Sequence, residues 1–255
     1  MRQTLCVMLF SAVTGMAQIG QGPNLYSREK EVALGASLAQ QVQRTATPLD
    51  SPAALDYVQR LGAKIAAQLP EPRFTYTFAV TSDDRSNALH EPLSFPGGYI
   101  FVPASLFLAA QNEAEFAGML AHAMAHVAAR HGTQTASRGE ISQLATIPLI
   151  FYGGWTGYGA RQTSATAIPV ALMRSQREYE QEADAMAVKL MSSAGYDPQA
   201  LARYFSRVWP NNAADVDSRD ARIDAMDRAI RQLAPATSTG EFLGIQEQVR
   251  AASKN

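Results

Sequence analysis

The sequence predicts an α+β fold, mostly helical with one small sheet. Three observations lead there. Apolar residues recur at three- and four-residue steps through Leu55, Val58, Leu61, Ile65 and Leu69, which gives a helix one apolar face. Phe74, Tyr76, Phe78 and Val80 alternate with polar or small residues, which is a strand period. Pro96-Gly97-Gly98 then marks a turn before a second short strand, Tyr99 to Val102. The chain has 255 residues, 47% hydrophobic and 18% charged, enough for one large domain or two small ones. A net charge of −1 argues against a nucleic-acid partner, and the composition excludes fibrous and disordered classes. One cysteine excludes a disulfide scaffold and a Cys-based metal cluster.

Residues 1–17 read as a secretory signal peptide. Arg2 gives the positive start, Leu5 to Val13 the short apolar core, and Gly15-Met16-Ala17 the small residues at a cleavage site. The core is too short to span a membrane. Cys6 lies inside it, so residues 18–255 would form a single, exported, cysteine-free domain, periplasmic or secreted, held by its core alone. Residues 28–44 read as a helix. Ser51-Pro52 starts the next, with proline at the first helical position. Asn112 starts another, and Glu115 three residues later completes a capping box. That helix should run to Arg130 and stop where Gly132 can take a left-handed cap. Residues 141–170 are apolar and glycine-broken. They read either as a buried helix with a Gly-rich loop, or as a mobile cover or a membrane-touching segment. A long helix from about Pro169 to Ala194 ends at Gly195, and Asp197-Pro198 starts another. The last helix runs from about Asp217 to Leu233, and the tail beyond is weakly patterned.

Three of the four histidines fall within ten residues. His122 and His126 are spaced i, i+4, so they stack on one helix face and can reach one zinc ion. Glu180 and Asp184 are also i, i+4, on the later long helix. Glu180 can supply a third ligand, and Asp184 can accept the free N–H of a ligating histidine. Each pair alone has a plain alternative, a core or surface histidine pair and a solvated acidic face beside Arg174 and Arg177. Apolar Phe116, Met119, Leu120 and Val127 flank the histidines, and a buried histidine pair needs a partner.

The run Asn112–Gly132 resembles the active-site helix of the CAAX-prenyl-protease and HtpX-type zinc metallopeptidases, peptidase family M48. The similarity continues in order. Glu31–Gly35 resembles the family's opening helix. Phe74–Val80, Asn87-Ala88 and Pro96–Ile100 resemble its strand segment. Arg177, Glu180–Asp184 and Ala194–Pro198 resemble its third-ligand helix and exit, and Arg222-Ile223 its last helix. The resemblance implies a zincin-like metallopeptidase domain with one zinc ion. His122, His126 and Glu180 would be its ligands and Asp184 the carboxylate behind them. An extended polypeptide, as substrate or client, would lie along an edge strand near Tyr99.

The sequence departs from the family at three places. The family motif is H-E-x-x-H, whose glutamate is the general base, and here that position is Ala123. General acid–base help of roughly 10²–10⁴-fold would be absent. The family's His-Pro pair before the last helix is replaced by Asp217-Ser218-Arg219. Leu89 to Phe95 is about four residues longer than in the family and contains His90 and Glu91. Glu91 would replace the base, or the insert would block the cleft, or the segment is an exposed polar loop. The sequence thus predicts zinc binding in a metalloendopeptidase fold. Hydrolysis is compromised, and the alternative is a non-catalytic, peptide-binding or chaperone-like pseudopeptidase.

Overall fold

A computed structural model describes residues 24–69, 74–82, 89–138, 170–209, 213–233 and 241–253. Helix α1 spans Arg28–Thr45 and α2 spans Pro52–Ala66, each opened by a serine whose hydroxyl accepts a backbone N–H, Ser27 from Lys30 and Ser51 from Ala54. Strands β1 (Thr77–Thr81), β2 (Leu93–Phe95) and β3 (Tyr99–Pro103) follow. Next come α3 (Ala104–Ala109), α4 (Glu113–Ala128) and α5 (His131–Arg138). Helices α6 (Val170–Ser193), α7 (Gln199–Val208), α8 (Ala213–Ile230) and α9 (Glu241–Ala252) complete the described chain. The fold is therefore α+β and mostly helical, as the periodicity predicts. No described helix is long and apolar enough to cross a membrane. The signal-peptide reading of residues 1–17 lies outside the described residues, as do both readings of residues 141–170 for all but its last residue.

The sheet has the order β1-β3-β2. β1 runs parallel to β3 and β2 antiparallel to it. Tyr99–Pro103 is thus the central strand, which corrects the expectation that it forms the edge. Leu93 and Phe95 pair with Phe101 and Tyr99 across the Pro96-Gly97-Gly98 turn, so the insert itself supplies the edge strand. Gly97 turns at φ 79°, where a side chain would be strained. The Pro96 carbonyl oxygen lies 1.7 Å from where a Cβ on Gly35 would sit, so only glycine lets α1 pack on this turn.

Helix α4 is buried almost throughout, between the sheet and α6, because fourteen of its sixteen residues are apolar, glycine or histidine. Asn112 Oδ1 accepts the Glu115 N–H at 3.0 Å, while Glu115 Oε2 accepts the Gln111 N–H at 2.8 Å. The capping box therefore forms with its return bond one residue earlier than expected. Arg130, not Gly132, takes the left-handed conformation after α4, with φ 61°. Its guanidinium donates to buried Glu31 Oε2 and to the Tyr26 carbonyl, both at 2.6 Å, and that anchorage holds the unfavourable backbone. Gly132 instead sits inside α5. At the far end, Phe242 from α9 packs against Tyr57, Phe107 and Phe116, with ring centroids 5.4–6.4 Å away.

A candidate metal centre

The folding of α4 onto α6 brings the two i, i+4 pairs together. His122 Nε2 lies 3.0 Å from His126 Nε2 and 3.4 Å from Glu180 Oε2. His126 Nε2 lies 3.6 Å from Glu180 Oε1. Glu180 and Asp184 are 7% and 0% exposed, so the solvated acidic face is excluded. Ala123, at the position of the family's base, is buried on the same helix. The insert is not an exposed loop either. Leu89, Glu91, Pro92 and Leu93 are buried, and Glu91 Oε1 sits 3.0 Å from His122 Nε2. Glu91, His122, His126 and Glu180 present ligand atoms within 4.8 Å of one another.

Behind these atoms lies a second layer that fixes the rings. His122 Nδ1 is 3.0 Å from Asp184 Oδ1, close enough to pair though bent from a linear hydrogen bond. Asp184 is gripped in turn by Arg222, whose Nε donates to Oδ2 at 2.6 Å and Nη2 to Oδ1 at 2.7 Å. The third guanidinium nitrogen lies 3.0 Å from Glu180 Oε2. His126 Nδ1 is 3.0 Å from His131 Nδ1, and His131 Nε2 is 3.2 Å from Glu182 Oε2. His131 also stacks on Tyr179, centroids 4.4 Å apart. With Nδ1–H of His122 directed at Asp184 and Nδ1–H of His126 directed at His131, both Nε2 lone pairs face the cluster.

The electrostatics favour a cation there. Burial opposes charge on Glu180, but His126, Arg222 and His122 hold its carboxyl well below the usual range. Burial likewise opposes ionisation of Asp184, and Arg222 overrides it. Burial disfavours a charged His122, yet Asp184, Glu180 and Glu91 push its pKa well above the ordinary value. The field that favours a proton on this ring equally favours a metal ion beside Nε2. Burial takes His131 the other way, to about 4, so it stays neutral and can accept from His126. Glu180 Oε2 is buried with no aligned hydrogen-bond donor, an acceptor turned toward the same point. Imidazole and carboxylate donors with fixed second-layer partners fit a zinc-type metal.

Sequence reasoning named His122, His126, Glu180 and Asp184, and the fold converges all four. It raised Glu91 only as one of three readings of the insert. It gave His131 no part in the site, although its place five residues after His126 put it within reach of that ring. Arg222 was matched by resemblance alone, and its ion pairs needed the fold.

A helical histidine pair, buried at His122 and half-buried at His126, facing a glutamate from a second helix beside a small sheet, fits the class of metallopeptidase domains. The Peptidase family M48 model matches residues 52–243, three quarters of the chain, and the chain belongs to that family. A Vibrio cholerae relative, provisionally named β-barrel assembly-enhancing protease, is 26% identical over 187 residues, 71% of this chain and 38% of its own. The β-barrel assembly-enhancing protease of Escherichia coli K12 is 23% identical over 186 residues, 70% of this chain and 37% of its own. A mitochondrial metalloendopeptidase of Saccharomyces cerevisiae is 32% identical over 114 residues, 44% of this chain and 32% of its own. This chain therefore spans well under half the length of the relatives it matches.

Proposed function

We propose that this protein is an exported, zinc-binding pseudopeptidase that engages extended polypeptide rather than hydrolysing it efficiently. His122, His126 and Glu180 hold one zinc ion, and Asp184 and His131 orient the two imidazoles. The observation that carries the reading is the convergence of these donors on a helix that bears Ala123 where its family bears a base. A bound zinc ion supplies Lewis acidity toward a peptide carbonyl. The chain's own part is to position that carbonyl and to move a proton, and Ala123 can do neither. Loss of a general base costs roughly 10²–10⁴-fold in rate. β2 is an edge strand two residues from Glu91, and an extended peptide can add to such an edge.

Export rests on the signal-like residues 1–17 and fits a periplasmic address. A peripheral membrane contact through residues 141–170 belongs to the same reading, and a nucleic-acid partner does not. A second reading, residual proteolysis, is favoured by one observation, the Glu91 carboxylate 3.0 Å from His122 Nε2, where it would replace the base. Casein cleavage by the zinc-loaded protein separates the two. The pseudopeptidase reading expects no cleavage above the chelator-treated control, and robust cleavage by the unmodified chain overturns it. Cleavage retained by Glu91→Gln would dispose of Glu91 as the base.

A further inference from the structure

The Leu89–Phe95 segment carries one acid into the middle of the candidate centre, and the proposed function gives that acid no settled role. The segment is firmly held. Tyr204 Oη donates to the Leu89 carbonyl at 2.8 Å, and β2 pairs with β3 on the other side of Glu91. Between these anchors His90 is left-handed, φ 53°, a conformation that persists in a non-glycine residue only where the surroundings impose it. The turn delivers the Glu91 carboxylate into the protein interior, among the ligand atoms of His122, His126 and Glu180.

Two observations point to its role there. The first is spacing. A tetrahedral zinc ion with ligand bonds of about 2.0–2.1 Å separates its ligand atoms by about 3.3–3.4 Å. The separations here are 3.0 Å for His122 to Glu91, 3.0 Å for His122 to His126, 3.4 Å for His122 to Glu180 and 3.6 Å for His126 to Glu180. Glu91 stands at ligand spacing from His122, and its ligand atom lies within 4.8 Å of those of His126 and Glu180. A general base acts on a water held between it and the metal, whereas Glu91 Oε1 lies within hydrogen-bond distance of the ligand nitrogen itself. The second is charge. Among the described residues, Glu91, Glu180 and Asp184 are buried carboxylates beside the buried guanidinium of Arg222. A set so rich in acid favours a cation at its centre.

We infer that Glu91 is a fourth protein ligand, so that the chain closes its own metal centre with two histidines and two glutamates. The inference rests on the zinc site proposed above. A centre with four protein ligands is of the structural kind, since a catalytic one keeps a position open. Closure and the loss of the base at Ala123 then describe one outcome, a metal kept for the fold and denied to substrate.

The test uses the full chain loaded with cobalt(II), whose visible absorption is stronger in a four-coordinate site, and acetohydroxamate as a probe of an open position. The unmodified protein should show an intense spectrum that acetohydroxamate leaves unchanged. Glu91→Gln, which keeps the side chain's shape, should weaken zinc binding by roughly tenfold or more in competition with a chromogenic chelator. Its cobalt spectrum should weaken and should shift when acetohydroxamate is added. Glu91→Ala should behave the same way. Equal zinc affinity and identical spectra in the variants would overturn the inference and leave the three-ligand zinc site standing. If the variants do not fold, uptake of acetohydroxamate by the unmodified protein overturns it and refusal supports it. An unmodified protein that binds neither metal overturns both this inference and the proposed function.

Discussion

Replacing Arg222 with methionine isolates the ion-pair layer behind the metal centre. The guanidinium makes two hydrogen bonds to Asp184, at 2.6 and 2.7 Å, and a 3.0 Å contact with Glu180 Oε2. It also lies over Phe205 and Trp209, 4.6 and 5.3 Å from their ring centroids. Methionine keeps most of that apolar packing and is a mild change in volume. What it removes is the partner of two carboxylates that solvent cannot reach. Breaking a buried pair from one side costs roughly 3–5 kcal/mol. In a chain of this size each kcal/mol moves the midpoint by about 2–4 °C. Arg222→Met should therefore lower Tm by about 6–20 °C in chelator-treated protein, followed by circular dichroism. With zinc bound the loss should be smaller, because the metal's charge takes over part of the compensation. Adding Asp184→Asn to Arg222→Met should cost far less than the two single losses combined, since the second change removes the charge that the first left stranded. A chelator-treated Arg222→Met protein melting within 2 °C of the unmodified one would refute the reasoning.

Three further outcomes follow from the same contacts. Ala123→Glu combined with Glu91→Gln restores the base and reopens the metal, so casein cleavage should rise by about 10²–10⁴-fold over the unmodified chain; a double variant that binds zinc and stays inert would contradict the assignment of Ala123. His131→Phe keeps the stack on Tyr179 but removes the acceptor beside His126, and zinc affinity should fall by roughly 10–100-fold in chelator competition. Arg130→Gly relieves a left-handed residue, worth about 1–2 kcal/mol, but strands buried Glu31, worth roughly 3–5 kcal/mol, so urea denaturation should show a net loss. A more stable Arg130→Gly would mean that backbone strain outweighs the ion pair.

The sequence made most of the site legible because its helices carry strong local signals. Ser51-Pro52, Asn112 with Glu115, and Gly195 mark ends that depend on a few adjacent residues, and all three mark real boundaries within two residues. The i, i+4 pairs needed only helical geometry. What stayed hidden depends on contacts between distant segments. Arg130 rather than Gly132 turns left-handed because Glu31, 99 residues away, holds its side chain. Glu91 reads as a loop acid until Tyr204, 115 residues from Leu89, pins the segment inward. Tyr99–Pro103 becomes the central strand because Leu93-Ser94-Phe95 folds back on it. That three-residue alternation just before Pro-Gly-Gly was too short to read as a strand. Helix α9 did leave a trace, since Phe242, Ile245 and Val249 share one face, but Leu243 lies off that face and blurs the pattern.

The central claim is that His122, His126 and Glu180 grip a single zinc ion, and metal content tests it most directly. Inductively coupled plasma mass spectrometry on the purified full chain should find zinc near one per molecule, and near zero in a folded Glu180→Ala variant. A folded, unmodified protein that takes up no zinc from a zinc-containing buffer would contradict the account.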